Sequence, residues 1–255
     1  MNTYFSDLQN KTVIVTGGSK GIGRDIALSF AQLQSNVIIV GRNQQALEQT
    51  LTELKEYNGN HKAVQVDVNN VKKVREMMDE VVKEYGVVDI LVNNAGVNIP
   101  KPALEVREED WDLVLDTNLK ATFFFSQAVA KHMIEQNRPG RIINIASQMS
   151  FVGYIKRAAY CSSKGGVVQL TKALAVEWAK NQINVNAVAP TFVETEFTET
   201  MFKDEDFKKD VESRILLGRL PKSKDISGAV LYLASNMSDF VTGETIKVDG
   251  GWTAI

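Results

Sequence analysis

The chain has 255 residues, 44% of them hydrophobic and 24% charged, with a formal net charge of -2 at pH 7. This ordinary globular balance excludes a disordered chain and gives no electrostatic case for nucleic acid or an anionic membrane as partner. With one cysteine (Cys161) and two isolated histidines (His61 and His132), it also excludes an intramolecular disulfide and gives no start to a metal site.

No apolar run approaches the roughly 20 residues that span a bilayer. The amino-terminal MNTYFSDLQNK lacks the basic start and apolar stretch of a secretory signal, so a cytoplasmic protein is expected. TVIVT (12–16) reads as the first strand, and T16-G-G-S-K-G-I-G23 follows it and opens a helix. Glycines at 17, 21 and 23 let the backbone turn sharply and approach a ligand. Free N–H groups at the helix start then suit a pyrophosphate. The spacing is GxxxGxG, not the GxGxxG of the common dinucleotide fingerprint, and alone it is equally consistent with plain turn chemistry. Its place in the first βα unit favours a dinucleotide.

The second strand, NVIIVG (36–41), ends where an NAD enzyme carries an acid for the adenosine ribose. Here the chain reads V40-G41-R42-N43, without a carboxylate. Arg42, together with Lys20 in the glycine loop, suits a 2′-phosphate, although both also fit an ordinary solvated surface. The expected cofactor is NADP(H), with NAD as the alternative.

AVQVD (63–67), DILVN (89–93), RIINIA (141–146), INVNAV (183–188) and TIKVD (245–249) complete the strands. Their apolar runs are nearly continuous, as in strands covered on both faces. Between them lie stretches with helical apolar spacing, including two long helices expected over 108–137 and 158–181. Strand–helix alternation from end to end predicts one α/β domain over 1–255, doubly wound, with a mostly parallel seven-stranded sheet and helices on both faces. The acidic, aromatic-studded stretch 190–220 interrupts that alternation and reads as a substrate-binding excursion within the domain.

Between Ser147 and Lys164 the chain reads SQMSFVGYIKRAAYCSSK. Tyr160 and Lys164 fall one turn apart on one face of a strong helix pattern. Ser147 follows RIINIA, at the carboxyl edge of the sheet where ligands of such folds bind. Each alone is as well explained as a capping serine, a core tyrosine or a surface lysine.

Taken with TGGSKGIG (16–23), Asp67, NNAG (93–96), Asn118, P190-T-F-V-E-T195 and V248-D-G-G251, these residues resemble the short-chain dehydrogenases/reductases over nearly the whole chain. The similarity is strongest to the bacterial branch holding 3-oxoacyl-carrier-protein reductases and sugar-acid or polyol dehydrogenases. It implies a Rossmann fold and interconversion of a secondary alcohol and a ketone. It also implies a catalytic set of Asn118, Ser147, Tyr160 and Lys164. A free tyrosine titrates near pH 10, so Tyr160 holds its proton for ketone reduction. In the reverse direction, lowering that value to about 7 takes about 4 kcal/mol of phenolate stabilisation, for which Lys164 and an oxidised nicotinamide have the right sign. Ser147 would bind the substrate oxygen, and Asn118 would hold a water relaying protons to Lys164.

The cofactor residues implied are Gly17, Ser19, Lys20, Gly21, Ile22 and Gly23 in the loop, with Arg42, Asp67 and Val68. Asn93, Ala95 and Gly96 would meet the adenosine side, Lys164 and Tyr160 the nicotinamide ribose, and Pro190, Val193 and Thr195 the nicotinamide end. One departure stands out: Thr191 follows Pro190 where the family usually has glycine.

Asn98, Gln148, Tyr154, Arg157 and Phe192 are the expected substrate contacts, with Phe151 and Phe197 as further wall candidates. Lys156 and Arg157 suit a carboxylate or phosphate, or equally an exposed turn. The substrate reading is a sugar acid or polyol; the alternatives are a 3-oxoacyl thioester and, remotely, a non-catalytic dinucleotide sensor. Family likeness further implies a homotetramer joined through the two long helices and the C-terminal strand. Phe123, Phe124, Phe125, Val168 and the terminal GWTAI are candidate contacts.

Overall fold

The computed structural model describes residues 4–193, 198 and 201–254. Seven parallel strands form one sheet: β1 Thr12–Thr16, β2 Asn36–Gly41, β3 Lys62–Gln65, β4 Ile90–Asn93, β5 Gly140–Ile145, β6 Ile183–Pro190 and β7 Thr245–Val248. Their spatial order is β3-β2-β1-β4-β5-β6-β7. The chain winds outward from β1 to β3, then returns to place β4 on the other side of β1. The crevice at that reversal, beyond the carboxyl ends of β1 and β4, is where such sheets bind ligands.

Eight helices are numbered here. They are α1 Gly21–Gln32, α2 Gln44–Leu54, α3 Val71–Tyr85, α4 Glu108–Leu115, α5 Ala121–Glu135, α6 Ala158–Trp178, α7 Glu205–Arg214 and α8 Ser223–Ala234. Local chemistry starts several of them: Asn43 Oδ1 accepts from Ala46 N at 2.9 Å, and Asn70 Oδ1 accepts from Lys73 N at 3.1 Å.

Strand alternation distributes the core between the two faces. Ile14, Ile38 and Val40 pack with Val74, Met78, Phe125 and Leu174 on the α3–α5–α6 side. Val13, Val15, Val37 and Ile39 pack with Ile26, Phe30, Leu47 and Val230 on the α1–α2–α8 side. Each strand therefore needs apolar residues in both phases, which is why the sequence shows runs rather than alternation.

The helix expected over 108–137 runs in unbroken helical backbone to Glu135, but its hydrogen-bond pattern changes midway. A π-helical turn, Asp116–Lys120, separates α4 from α5 and contains Asn118. The 190–220 excursion contains α7, and its side chains gather in a separate aromatic cluster with Met149, Phe192, Val211, Ile215 and Trp252. Within the terminal GWTAI, Trp252 is thus buried in its own chain and Ala254 is exposed, while Ile255 lies outside the described residues. Phe125 and Val168 are likewise buried in the chain's own core.

Candidate active site

The glycine loop follows β1, where Gly17 adopts φ +64° and its absent Cβ would stand 3.0 Å from the Ala95 Cα. A side chain at Gly23 would collide with the Asn94 amide and the Gly17 carbonyl. The loop is therefore pressed onto the chain after β4. Asn94 fastens it, donating Nδ2 to the carbonyls of Thr16 and Gly17, both at 3.1 Å. Thr16 Oγ1 accepts from the backbone N–H groups of Asn94 and Ala95 at 3.0 and 3.1 Å.

One cavity of about 420 Å³ opens over this junction, a size in the ordinary range for small-ligand sites. Its wall includes Gly17, Ser19, Lys20, Gly21, Ile22 and Gly23 from the loop, and Arg42, Asp67 and Val68 from the ends of β2 and β3. Ala95, Gly96 and Asn98 after β4, Pro190 at the end of β6, and Phe192 and Val193 after it also line it. So do Ser147, Gln148, Tyr160 and Lys164. Thr195 and Phe197 lie outside the described residues.

Asn93 is corrected: it is buried, and its Nδ2 donates to Ser126 Oγ and Asn144 Oδ1, both at 2.9 Å. It braces the sheet against α5 beneath the cavity, while Asn94 lines it. Strand alternation carried that signal. Leu91 and Asn93 share one face of β4, so the next residue turns to the glycine loop.

Tyr154 is not on the cavity wall either. Its hydroxyl donates to Asp210 Oδ2 at 2.6 Å, and its ring packs edge-on against Phe192, Phe207 and Trp252. Phe151 is exposed and lies under the Lys247 ammonium rather than on the wall. Arg157 also stands off the wall, buried behind Met201, which does line it. Lys156 is exposed, whereas Arg157 is buried, so the two cations paired in the sequence face different surroundings.

Ser147 ends the β5 connection, accepting from Met149 N at 3.2 Å and donating to Gln148 Oε1 at 2.9 Å. Tyr160 and Lys164 lie on α6, with the ammonium 5.9 Å from the phenol ring centre. Lys164 Nζ donates to the Ile145 carbonyl at 2.6 Å. Both ends of the Asn118 amide are engaged. Oδ1 accepts from Val97 N at 2.8 Å, and Nδ2 donates to Val97 O at 2.9 Å and Ser163 Oγ at 3.0 Å. Ser163 Oγ in turn donates to the Tyr160 carbonyl at 2.8 Å. The π turn, the loop after β4 and α6 are thereby pinned together around Gly96, whose missing Cβ would stand 3.6 Å from Lys164 Nζ.

Burial pushes the Tyr160 phenol above its ordinary value, against the opposing pull of hydrogen bonding to Ser147 and of the Arg157 charge. Burial also lowers Lys164 to about 8. The balance differs from the sequence expectation, since the charge drawing the phenol down in this structure is Arg157 rather than Lys164. Phenol, hydroxyl and ammonium thus meet at one end of a cavity whose other end is a glycine cradle. The arrangement offers a proton to one face of a bound molecule and backbone N–H groups to an elongated anion.

A sequence profile described as enoyl-(acyl carrier protein) reductase matches residues 17–253. The chain is similar to 2-dehydro-3-deoxy-D-gluconate 5-dehydrogenase of Escherichia coli K12, with 42% identity over 247 residues, covering 97% of each protein. It is 38% identical to the 3-oxoacyl-[acyl-carrier-protein] reductase of Thermotoga maritima over 244 residues, covering 96% of this chain and 98% of that one. Among solved structures it resembles a gluconate 5-dehydrogenase of Burkholderia cenocepacia in complex with NADP and tartrate. That match has a TM-score of 0.93 and 33% identity, and covers 98% of this chain and 99% of the other.

Proposed function

The chain belongs to the short-chain dehydrogenase/reductase family, an oxidoreductase acting on alcohol groups, and from this we propose that it interconverts a secondary alcohol and a ketone on a sugar acid with NADP(H). The observation that carries the reading is the convergence of Ser147, Tyr160 and Lys164 on the cavity that the glycine loop also lines.

The residues present fit the cofactor. The glycine cradle leaves no room for side chains, and Lys20 and Arg42 stand on the wall without a carboxylate partner among the described residues. They would hold a 2′-phosphate, and Asp67 and Val68 would border the adenine. When bound, the nicotinamide supplies or accepts the hydride.

Tyr160 keeps its proton at neutral pH, because burial disfavours the phenolate, and donates it to the ketone oxygen. Ser147 Oγ leaves Gln148 and donates to that oxygen as charge develops there. Lys164, held by the Ile145 carbonyl, supplies positive charge beside the phenol and binds the ribose. Asn118 fixes Val97 and Ser163, and so the register of Tyr160. A 3-oxoacyl thioester is the second reading, supported by the Thermotoga maritima relative.

We assign a homotetramer paired through the α4–α5 helical run and α6, where Leu115, Leu119 of the π turn, Phe123 and Leu170 line an open groove. The lone Cys161 suits a reducing cytoplasm. No described helix is long and apolar enough to cross a membrane.

The test is NADPH oxidation by purified protein with 5-keto-D-gluconate against an acetoacetyl thioester. The keto acid should be the better substrate by kcat/KM. In Tyr160→Phe, turnover should fall on the order of 100-fold or more while NADPH binding persists. Preference for the thioester would overturn the sugar-acid reading, and near-full activity of the variant would overturn the assignment of Tyr160.

A further inference from the structure

Arg157 is only 5% exposed, yet no carboxylate pairs with it among the described residues. Its Nη1 donates to the Lys156 carbonyl at 3.4 Å and its Nη2 approaches the Met201 sulfur at 3.8 Å, two weak acceptors for a full charge. Its Nε is buried with no partner among the described residues. An arginine does not escape such a position by losing its proton, so burial without an anion is costly. The residue also occupies the N-cap of the 21-residue α6, with no side chain capping that end. A cation there adds to the positive end of the helix dipole instead of opposing it. Two independent features therefore favour a negative group at this place.

The location ties that group to the reaction. Arg157 lies three residues before Tyr160 in the sequence, and its charge reaches the Tyr160 phenol. Met201, the side chain in contact with its guanidinium, lines the cavity. An unbranched thioether is a movable cover. The neighbouring loop is fastened alongside: Lys101 N donates to the Lys156 carbonyl at 3.2 Å. That loop carries Asn98, which lines the cavity and has a buried Oδ1 with no partner among the described residues. An acceptor on the wall and a cation behind it, both unpaired among the described residues and carried on two joined loops, make a pair suited to a hydroxylated acid.

We propose that Arg157 is the counter-ion of the substrate: with Met201 displaced, its guanidinium binds the carboxylate of a short hydroxylated acid, and Asn98 Oδ1 accepts from one of that molecule's hydroxyls. This deepens the sugar-acid reading and rests on it. Exposed Lys156 has no part in it. The arrangement discriminates by charge, since a neutral polyol satisfies Asn98 but leaves the guanidinium unpaired.

The experiment is calorimetric titration of the NADP-loaded enzyme with D-gluconate and with D-sorbitol, which offers hydroxyls without the carboxylate. Wild type should prefer gluconate. Arg157→Met should weaken gluconate on the order of 10- to 100-fold while leaving sorbitol and NADP binding unchanged. Its melting temperature should not fall, because an unpaired buried charge has been removed. Arg157→Lys, which keeps the charge and loses the fork, should fall between the two, and it decides the matter should Arg157→Met fail to fold. Equal affinity of wild type for both ligands, or equal losses of both in the variants, would overturn the inference. An Arg157-dependent preference for gluconate in an enzyme that reduces only the thioester would leave the anion site standing and overturn the sugar-acid reaction instead.

Discussion

Lys164 is 4% exposed, its ammonium is held by the Ile145 carbonyl, and burial brings its pKa to about 8 from the ordinary 10.5. A folded-state value below the unfolded one means that the unfolded chain binds the extra proton between about pH 8 and 10.5. Stability therefore rises with pH across that window. Below it the buried charge costs about 3 kcal/mol relative to an unshifted lysine. Lys164→Met removes that cost and forfeits one hydrogen bond, worth about 1 kcal/mol. The cofactor-free variant should be inactive yet melt a few degrees above wild type at pH 7, with the gap closing as pH rises from 8 to 10. A lower melting temperature at pH 7 and a gap indifferent to pH would show that the lysine is stabilising where it sits.

At the scale of elements, α7 is fastened to the segment between Ser147 and Tyr160 by one side-chain assembly. Tyr154 donates to Asp210, Arg214 donates to both oxygens of the same carboxylate, and the Arg214 guanidinium lies 5.8 and 5.7 Å from the Tyr154 and Trp252 ring centres. Arg214 and Tyr154 hold Asp210 below its ordinary value, so the carboxylate is charged throughout the neutral range. Tyr154→Phe keeps the aromatic packing and deletes the charged hydrogen bond, a loss on the order of 1–3 kcal/mol. Proteolysis within 205–214 should then accelerate, and KM for the ketone should rise severalfold with kcat and NADPH affinity held. Unchanged proteolysis and KM would mean that the aromatic cluster alone anchors α7. None of this assembly was legible in the sequence, which showed an excursion but not what it packed on. Tyr154 reads as a pocket aromatic until its hydroxyl is seen to meet Asp210, 56 positions away. The π turn at Asn118 was hidden for the same reason, since its hydrogen bonds run to Val97 and Ser163 and leave no local periodic trace. The strands were legible to within about two residues because continuous β-branched runs carry their own signal.

For the whole molecule, the sequence sufficed for the layers and the cavity, because winding order follows from strand–helix alternation and ligands gather where that order reverses. It did not distinguish surfaces that cover the core from surfaces awaiting a second chain. The structure separates Phe125 and Val168, buried within the chain, from Leu119, Phe123 and Leu170, which border the groove between α5 and α6. Ala173 lies on the same groove and is exposed. A large charged side chain there leaves the core of one chain untouched and obstructs only close approach by another. Sedimentation of the wild type should give four times the 28.3 kDa chain mass. Ala173→Arg should give smaller species with an unchanged melting transition at low concentration. A tetramer indifferent to Ala173→Arg would move the interface to another face, whereas a wild-type monomer would require the catalytic helix α6 to hold Tyr160 and Lys164 in place without support from a second copy.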